Sequence, residues 1–152
     1  MATEFDKYAQ KGNEFLSLLE NDLKVPSDKA FRILKSVLHT LRNHLEFEES
    51  LKVIAQLPMA LKGIYVDQWT PGQRSPRMHH VKQLLDEIRE SDKSLAAYDF
   101  GDDETAKSSV RAVFRTLNYF LSDGEFEDIT AVFATEIKEF ITGSIGHGRM
   151  AL

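Results

Sequence analysis

The segment AFRILKSVLHTLRNHL at residues 30–45 recurs 76 residues later as AKSSVRAVFRTLNYFL at residues 106–121. The copies align without a gap, and identical residues stand at Ala30/Ala106, Val37/Val113, Thr40/Thr116, Leu41/Leu117 and Leu45/Leu121. The apolar residues of each copy follow one another at intervals of three and four, which is the spacing of one face of an α-helix. The chain therefore contains a duplicated helical unit.

The 76-residue period extends beyond these segments, with further identities at Leu19/Leu95, Glu49/Glu125, Ala55/Ala131 and Lys62/Lys138. No stretch shows the alternating pattern that a half-buried strand requires. We therefore expect an all-α fold: a six-helix bundle made of two pseudo-symmetric three-helix repeats with a shared core. The expected organisation is a single domain over 1–152, with repeat one at about 3–66, repeat two at about 76–142 and a frayed tail at 143–152.

The expected helices cover about 3–23, 28–45, 48–66, 76–89, 104–121 and 125–142. Ser27 and Ser75 are predicted to cap the second and fourth helices, with Pro76 at the first helical position, and Ser122 and Glu125 form a capping box. Pro58 lacks an amide proton, so the third helix should kink there or stop and restart. The equivalent Ala134 predicts a straight sixth helix.

Composition restricts the function classes. The chain has 152 residues, no cysteine and a formal net charge of -5, and 42% of its residues are hydrophobic. The negative charge argues against nucleic acid as a partner. No apolar run reaches the roughly 20 residues of a membrane span, so we expect no membrane association and a cytoplasmic protein.

Several short stretches resemble one known family. They are Leu38-His39-Thr40-Leu41-Arg42, Ala55-Gln56-Leu57-Pro58-Met59, Lys62-Gly63-Ile64-Tyr65 and Trp69-Thr70-Pro71. Together they resemble the bacterial proteins catalogued as domain of unknown function 2267. The resemblance implies a small all-helical bacterial protein and carries no activity, ligand or catalytic residue. Related sequences often keep Gln-Leu-Pro in the second unit as well, whereas this chain has Val132, Phe133 and Ala134, which counts against a role that needs two equivalent units.

The titratable residues do not form a recognisable catalytic, metal or cofactor motif. His39 and His44 are five residues apart and diverge on a helix, and His44 corresponds to Phe120, which predicts a partly buried histidine. The neighbours His79 and His80 cannot converge on one ion, and His147 falls in the tail. Neighbouring carboxylates are expected on the helix surfaces, at Glu48/Glu49, Asp86/Glu87, Asp102/Asp103 and Glu127/Asp128. We therefore expect no catalytic residue, no metal and no cofactor.

Residues 65–82 hold the expected binding contacts. Trp69 is the only tryptophan of the chain, and Arg74 and Arg77 follow it closely. The leading hypothesis is a non-enzymatic helical module that binds a protein partner or itself. The alternative is a small-molecule or anion-binding protein, with or without enzymatic activity, whose site lies between the repeats near His39, Tyr65, Trp69, Arg74 and Arg77. An exposed apolar patch favours the first, and a cavity lined by polar groups favours the second.

Overall fold

The computed structural model describes residues 2–143, and their regular structure is helical throughout. The helices are α1 (Glu4–Leu23), α2 (Ser27–His44), α3 (Phe47–Gln56), α4 (Met59–Val66), α5 (Val81–Asp92), α6 (Ala96–Phe100), α7 (Asp103–Phe120), α8 (Asp123–Thr130) and α9 (Thr135–Gly143). A short 3₁₀ turn, Lys93–Leu95, joins α5 to α6. The predicted all-α class is confirmed. The tail that was expected to fray lies, beyond Gly143, outside the described residues.

Side-chain caps fix several helix starts. Ser122 accepts a hydrogen bond from the Glu125 amide at 3.2 Å, and its own amide donates to the Glu125 carboxylate at 2.8 Å, which is the predicted capping box. These bonds satisfy amides that have no partner within the helix. The prediction for Ser27 was wrong. Ser27 is the first residue of α2 and its hydroxyl donates to Glu20 at 3.0 Å, while Pro26 stands at the cap position.

Both long C-terminal helices of the predicted repeats are divided. The helix expected over 48–66 stops at Gln56 and restarts at Met59, with Pro58 as the cap of α4. The straight helix expected through Ala134 was wrong, because α8 ends at Thr130 and α9 begins at Thr135. The Val132 carbonyl, which a continuous helix would use internally, accepts instead from the Arg77 guanidinium at 2.7 Å. A proline is therefore not needed for the break.

The fourth predicted helix also begins later than expected. It starts at Val81 rather than Pro76, and Ser75 does not cap it. The Ser75 amide donates to the Asn43 carbonyl at 2.8 Å, and the His44 ring lies 2.6 Å from the Pro76 carbonyl. These contacts hold residues 67–80 against the C-terminal end of α2. The polar stretch 90–94, which was expected to follow this helix, continues as helix to Asp92 and then as the 3₁₀ turn.

The two copies of the duplicated segment lie at the centre of the molecule. Helix α2 packs against α1, α4, α5 and α7, and α7 packs against α1, α2, α5, α8 and α9. Their apolar faces are fully buried, at Leu34, Val37, Leu38 and Leu41 of α2 and at Val110, Val113, Phe114 and Leu117 of α7. Helices α7, α8 and α9 each begin 76 residues after α2, α3 and α4. The helix starts thus follow the period of the sequence.

Candidate functional site

One face of α2 is polar along most of its length. Its residues recur at intervals of three and four and therefore project from the same side of the helix: Arg32, Lys35, Ser36, His39, Thr40 and Asn43. This face forms one wall of a cleft of about 560 Å³. The opposite wall comes from α5 and the 3₁₀ turn, and a third side comes from the connection after α4. The residues on these two sides include Glu87, Glu90, Asp92, Lys93, Gln68 and Ser75.

Arg42 is the buried cation of this cleft. Only 6% of the residue is exposed. Its guanidinium donates to the carbonyl oxygens of Tyr65 at 3.0 Å and Asp67 at 2.8 Å, and to the side-chain oxygen of Asn43 at 3.1 Å. Burial lowers the pKa of Arg42, although a guanidinium stays protonated at neutral pH. No ion pair within residues 2–143 includes Arg42, so the acceptors that contact its guanidinium are neutral oxygens, and the Asp67 carboxylate acts on it only from beyond ion-pair distance.

His39 lies one turn before Arg42 on the same helix. Its Nε2 is 2.7 Å from the Ile64 carbonyl oxygen, which can only accept, so Nε2 carries a proton. Burial lowers the pKa of His39, and the positive charges of Arg42 and Lys35 add to this effect. The ring is therefore neutral at pH 7, and its Nδ1 is a potential acceptor.

Thr40 has a buried hydroxyl without a hydrogen-bond partner among residues 2–143. The residue is 2% exposed and lines the cleft. Its equivalent in the second copy, Thr116, donates to the Ala112 carbonyl at 2.8 Å. A buried hydroxyl that forms no hydrogen bond is costly. A group bound in the cleft would supply the missing partner.

A pair of carboxyl groups lies at the other end of the α2 polar face. Arg32 donates to both oxygens of Asp99 at 2.8 and 2.9 Å, and the Asp99 side chain is fully buried. Although burial acts in the opposite direction, these bonds hold the pKa of Asp99 below its usual value. Burial, together with hydrogen bonding to Asp99, raises the pKa of Asp92 to about 7. Asp92 is thus partly protonated at neutral pH, whereas Asp99 is ionised.

This carboxyl pair is not among the neighbouring acids that the sequence brings to attention. Asp92 and Asp99 are seven residues apart and come from two helices. A signal was nevertheless present in the duplication. Shifted by 76 residues, the two acids fall on Leu16 and Leu23, which pack against the core. An acid at a position that is apolar in the other copy indicates a local specialisation.

Two cleft residues have a strained backbone. Gln68 has φ 62° and Lys93 has φ 56° with ψ -125°, a region that favours glycine. Both line the cleft. Strain of this kind persists only where the surroundings impose it, and it is frequent near binding sites.

The residues predicted as binding contacts do not all meet in one place. His39 lines the cleft, and Tyr65 is buried directly behind it, with its hydroxyl 2.8 Å from that of Ser50. Trp69 is half-buried and stacks on Phe47, with ring centroids 5.7 Å apart.

Arg74 and Arg77 lie away from the cleft. Arg74 is exposed, 4.0 Å from Glu46. Arg77 donates to Glu49 at 2.9 Å as well as to Val132. The amide of Val81, at the start of α5, donates to the Glu136 carboxylate at 2.6 Å. The start of this helix is thus occupied by a carboxylate of the chain itself.

The histidines do not converge. His44 is buried, as its correspondence to Phe120 predicted, and its Nε2 is 3.6 Å from Glu87. His79 and His80 are exposed, and His147 lies outside the described residues. Within residues 2–143, no group of three or more His, Asp or Glu side chains is arranged to hold a metal ion. No helix in the same range is both long and apolar enough to cross a bilayer.

A family model described as "Uncharacterized conserved protein (DUF2267)" matches residues 12–140. The chain belongs to this family. The match spans α1 to α9 and so includes every wall of the cleft. No protein of curated function matches the chain. Membership of the family therefore confirms the resemblance seen in the sequence, and the function has to be argued from the site itself.

Proposed function

We propose that this protein binds a small anionic molecule in the cleft between α2 and α5, and that Arg42 and Thr40 hold its negative group. The proposal takes up the second of the two hypotheses drawn from the sequence. The centre of the proposed site is the polar face of α2, rather than Trp69 and the following residues Arg74 and Arg77. The cleft, at about 560 Å³, falls in the size range of small-molecule sites.

The observation that carries the proposal is that one cleft is lined both by a buried cation and by a buried hydroxyl without a hydrogen-bond partner in residues 2–143. Arg42 has only neutral oxygens as hydrogen-bond acceptors, and Thr40, two residues earlier, has none within the described residues. An anion would provide both the counter-charge and the acceptor. Lys35 lines the same cleft and forms no ion pair in residues 2–143, so it adds a second available cation.

The second copy of the unit lacks this combination. Residues 118 and 112, which correspond to Arg42 and Ser36, are Asn118 and Ala112. The counterpart of His39 is Arg115, which pairs with Asp22 at the surface at 2.9 Å. We therefore propose one site per chain, in agreement with the expectation that the two units are not functionally equivalent.

The test is binding of inorganic phosphate and of succinate, measured by calorimetry at constant ionic strength. Thr40→Val and Lys35→Gln each remove one proposed contact. Thr116→Val and Lys138→Gln are matched controls, because they make the same changes outside the cleft. We expect at least one of the two anions to bind the wild type. The first two variants should bind it about three- to tenfold more weakly, which corresponds to the loss of one hydrogen bond or charge contact.

Two results would contradict the proposal. One is that neither phosphate nor succinate binds the wild-type protein. The other is that the two control variants lose as much affinity as the cleft variants, which would indicate general charge attraction at the surface. Circular dichroism of each variant shows whether the fold is kept.

The protein-interaction hypothesis stays a prediction with one supporting feature. Phe47, Leu51 and Val66 are each more than a third exposed, and the Phe47 ring stacks on Trp69. Large aromatic residues contribute strongly to protein interfaces. Replacement of Phe47 by Ala would abolish self-association or partner binding if this surface is used, and would leave anion binding in the cleft unchanged.

A further inference from the structure

The cleft has walls of opposite charge. Helix α5 runs antiparallel to α2 across it, since His44 at the end of α2 contacts Glu87, whereas Asp92 at the end of α5 meets Ser36 in the middle of α2. The α2 wall carries Arg32, Lys35 and Arg42, and the α5 wall carries Glu87, Glu90 and Asp92. Lys93, in the 3₁₀ turn that follows α5, also lines the cleft. A ligand between the two helices therefore meets cations on the α2 side and carboxylates on the α5 side.

These charges do not neutralise each other across the cleft. Within residues 2–143, neither Lys35 nor Arg42 forms an ion pair with Glu90 or Asp92, and the contact between His44 and Glu87 is the cross-cleft pair that does occur. Arg32 is engaged by Asp99, and those two charges cancel. A purely negative ligand complements only the α2 wall and binds more weakly, whereas a ligand with both charges is complementary to both walls.

Asp92 has an oxygen that is ready to accept a hydrogen bond. Its Oδ2 is buried and forms no hydrogen bond with the described residues, while the neighbours of the carboxyl group are Asp99 and Ser36. A buried carboxylate oxygen without a donor is unfavourable, and an ammonium group would supply both the donor and the compensating charge. The opposite end of the cleft has the complementary need, because the cation Arg42 lacks a carboxylate.

The distance between the Asp92 end and the Arg42 end of the cleft sets the length of the ligand. Asp92 meets α2 at Ser36, and Thr40 and Arg42 lie four and six residues further along the helix. At about 1.5 Å per residue, this places the two ends about 6 to 9 Å apart.

We propose that the ligand is a small zwitterion, an amino carboxylate whose anionic group binds at Arg42 and Thr40 and whose cationic group binds at Asp92. This inference rests on the proposed function and adds the chemical class of the ligand. Glu90 lies between the two ends on the α5 wall, faces the ligand and favours its cationic half. The 6 to 9 Å separation matches a flexible chain of four to six carbons better than an α-amino acid.

The experiment compares chain-matched probes. γ-Aminobutyrate and ε-aminocaproate are the zwitterions, and butyrate and caproate are the corresponding carboxylates without an amine. Calorimetry should show that at least one zwitterion binds the wild type about tenfold more tightly than its carboxylate, a difference of about 1.4 kcal/mol. In Asp92→Asn this preference should disappear. In the control Asp86→Asn, which changes an acid of α5 outside the cleft, it should remain.

A second readout follows from the proton on Asp92. An ammonium group beside the carboxyl favours its ionised form, so zwitterion binding near pH 7 should release a fraction of a proton. Calorimetry in two buffers of different ionisation enthalpy measures that release, and Asp92→Asn should abolish it. If Asp92→Asn does not fold, Glu90→Gln serves as the second variant and should reduce the preference for the zwitterion.

The possible failures are distinguishable. If phosphate, succinate or the carboxylates bind and the zwitterions bind no better, the zwitterion inference is wrong and the anion site stands. If Asp92→Asn keeps the full preference, the cationic group binds elsewhere and the inference is again wrong. If no anion of either series binds, both the inference and the proposed function fail.

Discussion

At the scale of single residues, the most unusual feature is a set of polar groups that the fold buries at some cost. The Thr40 hydroxyl and the Asp92 Oδ2 have no hydrogen-bond partner among residues 2–143, the Arg42 guanidinium is bonded only to neutral oxygens, and all three residues line the same cleft. Outside the cleft, the hydroxyls of Ser50 and Tyr65 are paired, and Arg111 Nε is a further buried group without a hydrogen-bond partner in residues 2–143. Because native structures pair most buried polar groups, unpaired ones that share a cavity indicate a binding site.

The first prediction concerns the pH dependence of stability. Folding raises the pKa of Asp92 from 3.8 to about 7, through burial and Asp99. The folded state therefore holds a proton that the unfolded state has lost. The contribution of this proton to the free energy of unfolding is fully present below pH 3.8 and disappears as the pH rises through about 7. The pKa of Asp99 is lowered, so its ionised form stabilises the fold and this stabilisation is lost only when the pH falls below 3.8.

The measurement is urea unfolding of the wild type and of Asp92→Asn between pH 4 and 8. The wild type should lose stability with rising pH relative to the variant across this range. His39, whose pKa is lowered, titrates in both proteins and cancels in the difference. Parallel stability curves for the two proteins would show that Asp92 is not protonated in the fold.

The second prediction compares two arginine–carboxylate pairs with nearly identical geometry. Arg32 binds both oxygens of Asp99 at 2.8 and 2.9 Å, and Arg115 binds both oxygens of Asp22 at 3.0 and 2.9 Å. The Asp99 side chain is fully buried, whereas that of Asp22 is 30% exposed. Arg32→Gln should reduce the free energy of unfolding by about 3 kcal/mol, because it leaves a buried charge alone. Arg115→Gln should reduce it by less than about 1 kcal/mol. Equal losses in urea unfolding would contradict this difference in burial.

At the scale of helices, α1 and α4 approach each other closely at Gly12. A Cβ atom placed there would lie 2.7 Å from the Cβ of Ala60, whereas a Cβ at Gly63 would have no neighbour within 4 Å. Gly12→Ala should lower the free energy of unfolding by about 1 kcal/mol or more, since overpacking exceeds the gain in helix propensity. Gly63→Ala, a glycine of α4, should raise it by about 0.5 to 1 kcal/mol. Chemical denaturation measures both, and a stabilising Gly12→Ala would show that the two helices can separate without cost.

The local pattern predicted helices better than it predicted where they break. Helices α2 and α7 were placed to within a residue, because their apolar spacing is a local feature of the sequence. The break before Ala134 was missed, since it depends on an Arg77 contact that is 55 residues distant in sequence. The late start of α5 was missed for a similar reason, because Asn43 and His44 hold residues 75 and 76 in the connection.

The candidate site was only partly predictable, because it too depends on contacts between residues that are distant in sequence. His39 was singled out from the sequence, and it does line the cleft. Arg42 was noted only as part of the family resemblance, and nothing local distinguishes it from a solvated arginine. Its importance comes from the burial that α4 and the connection impose, and this requires the tertiary structure.

At the scale of the whole molecule, the duplication predicts a near two-fold axis. The equal offsets of the helix starts are consistent with such an axis. Superposition of residues 28–65 on residues 104–141 tests it directly. We expect the two segments to overlay clearly better than unrelated helical hairpins do, and an overlay no better than that would show that the sequence period does not extend to the tertiary arrangement.

The central claim is that a small anion binds between α2 and α5. Its most direct test is a titration with phosphate and then succinate, followed by amide ¹H–¹⁵N spectra. The account predicts saturable shifts for at least one of them, concentrated in residues 35–43 and 87–93, and their loss in Thr40→Val but not in Thr116→Val. Shifts that do not saturate, or that centre on residues 73–82 or on the outer face of α1, would contradict it.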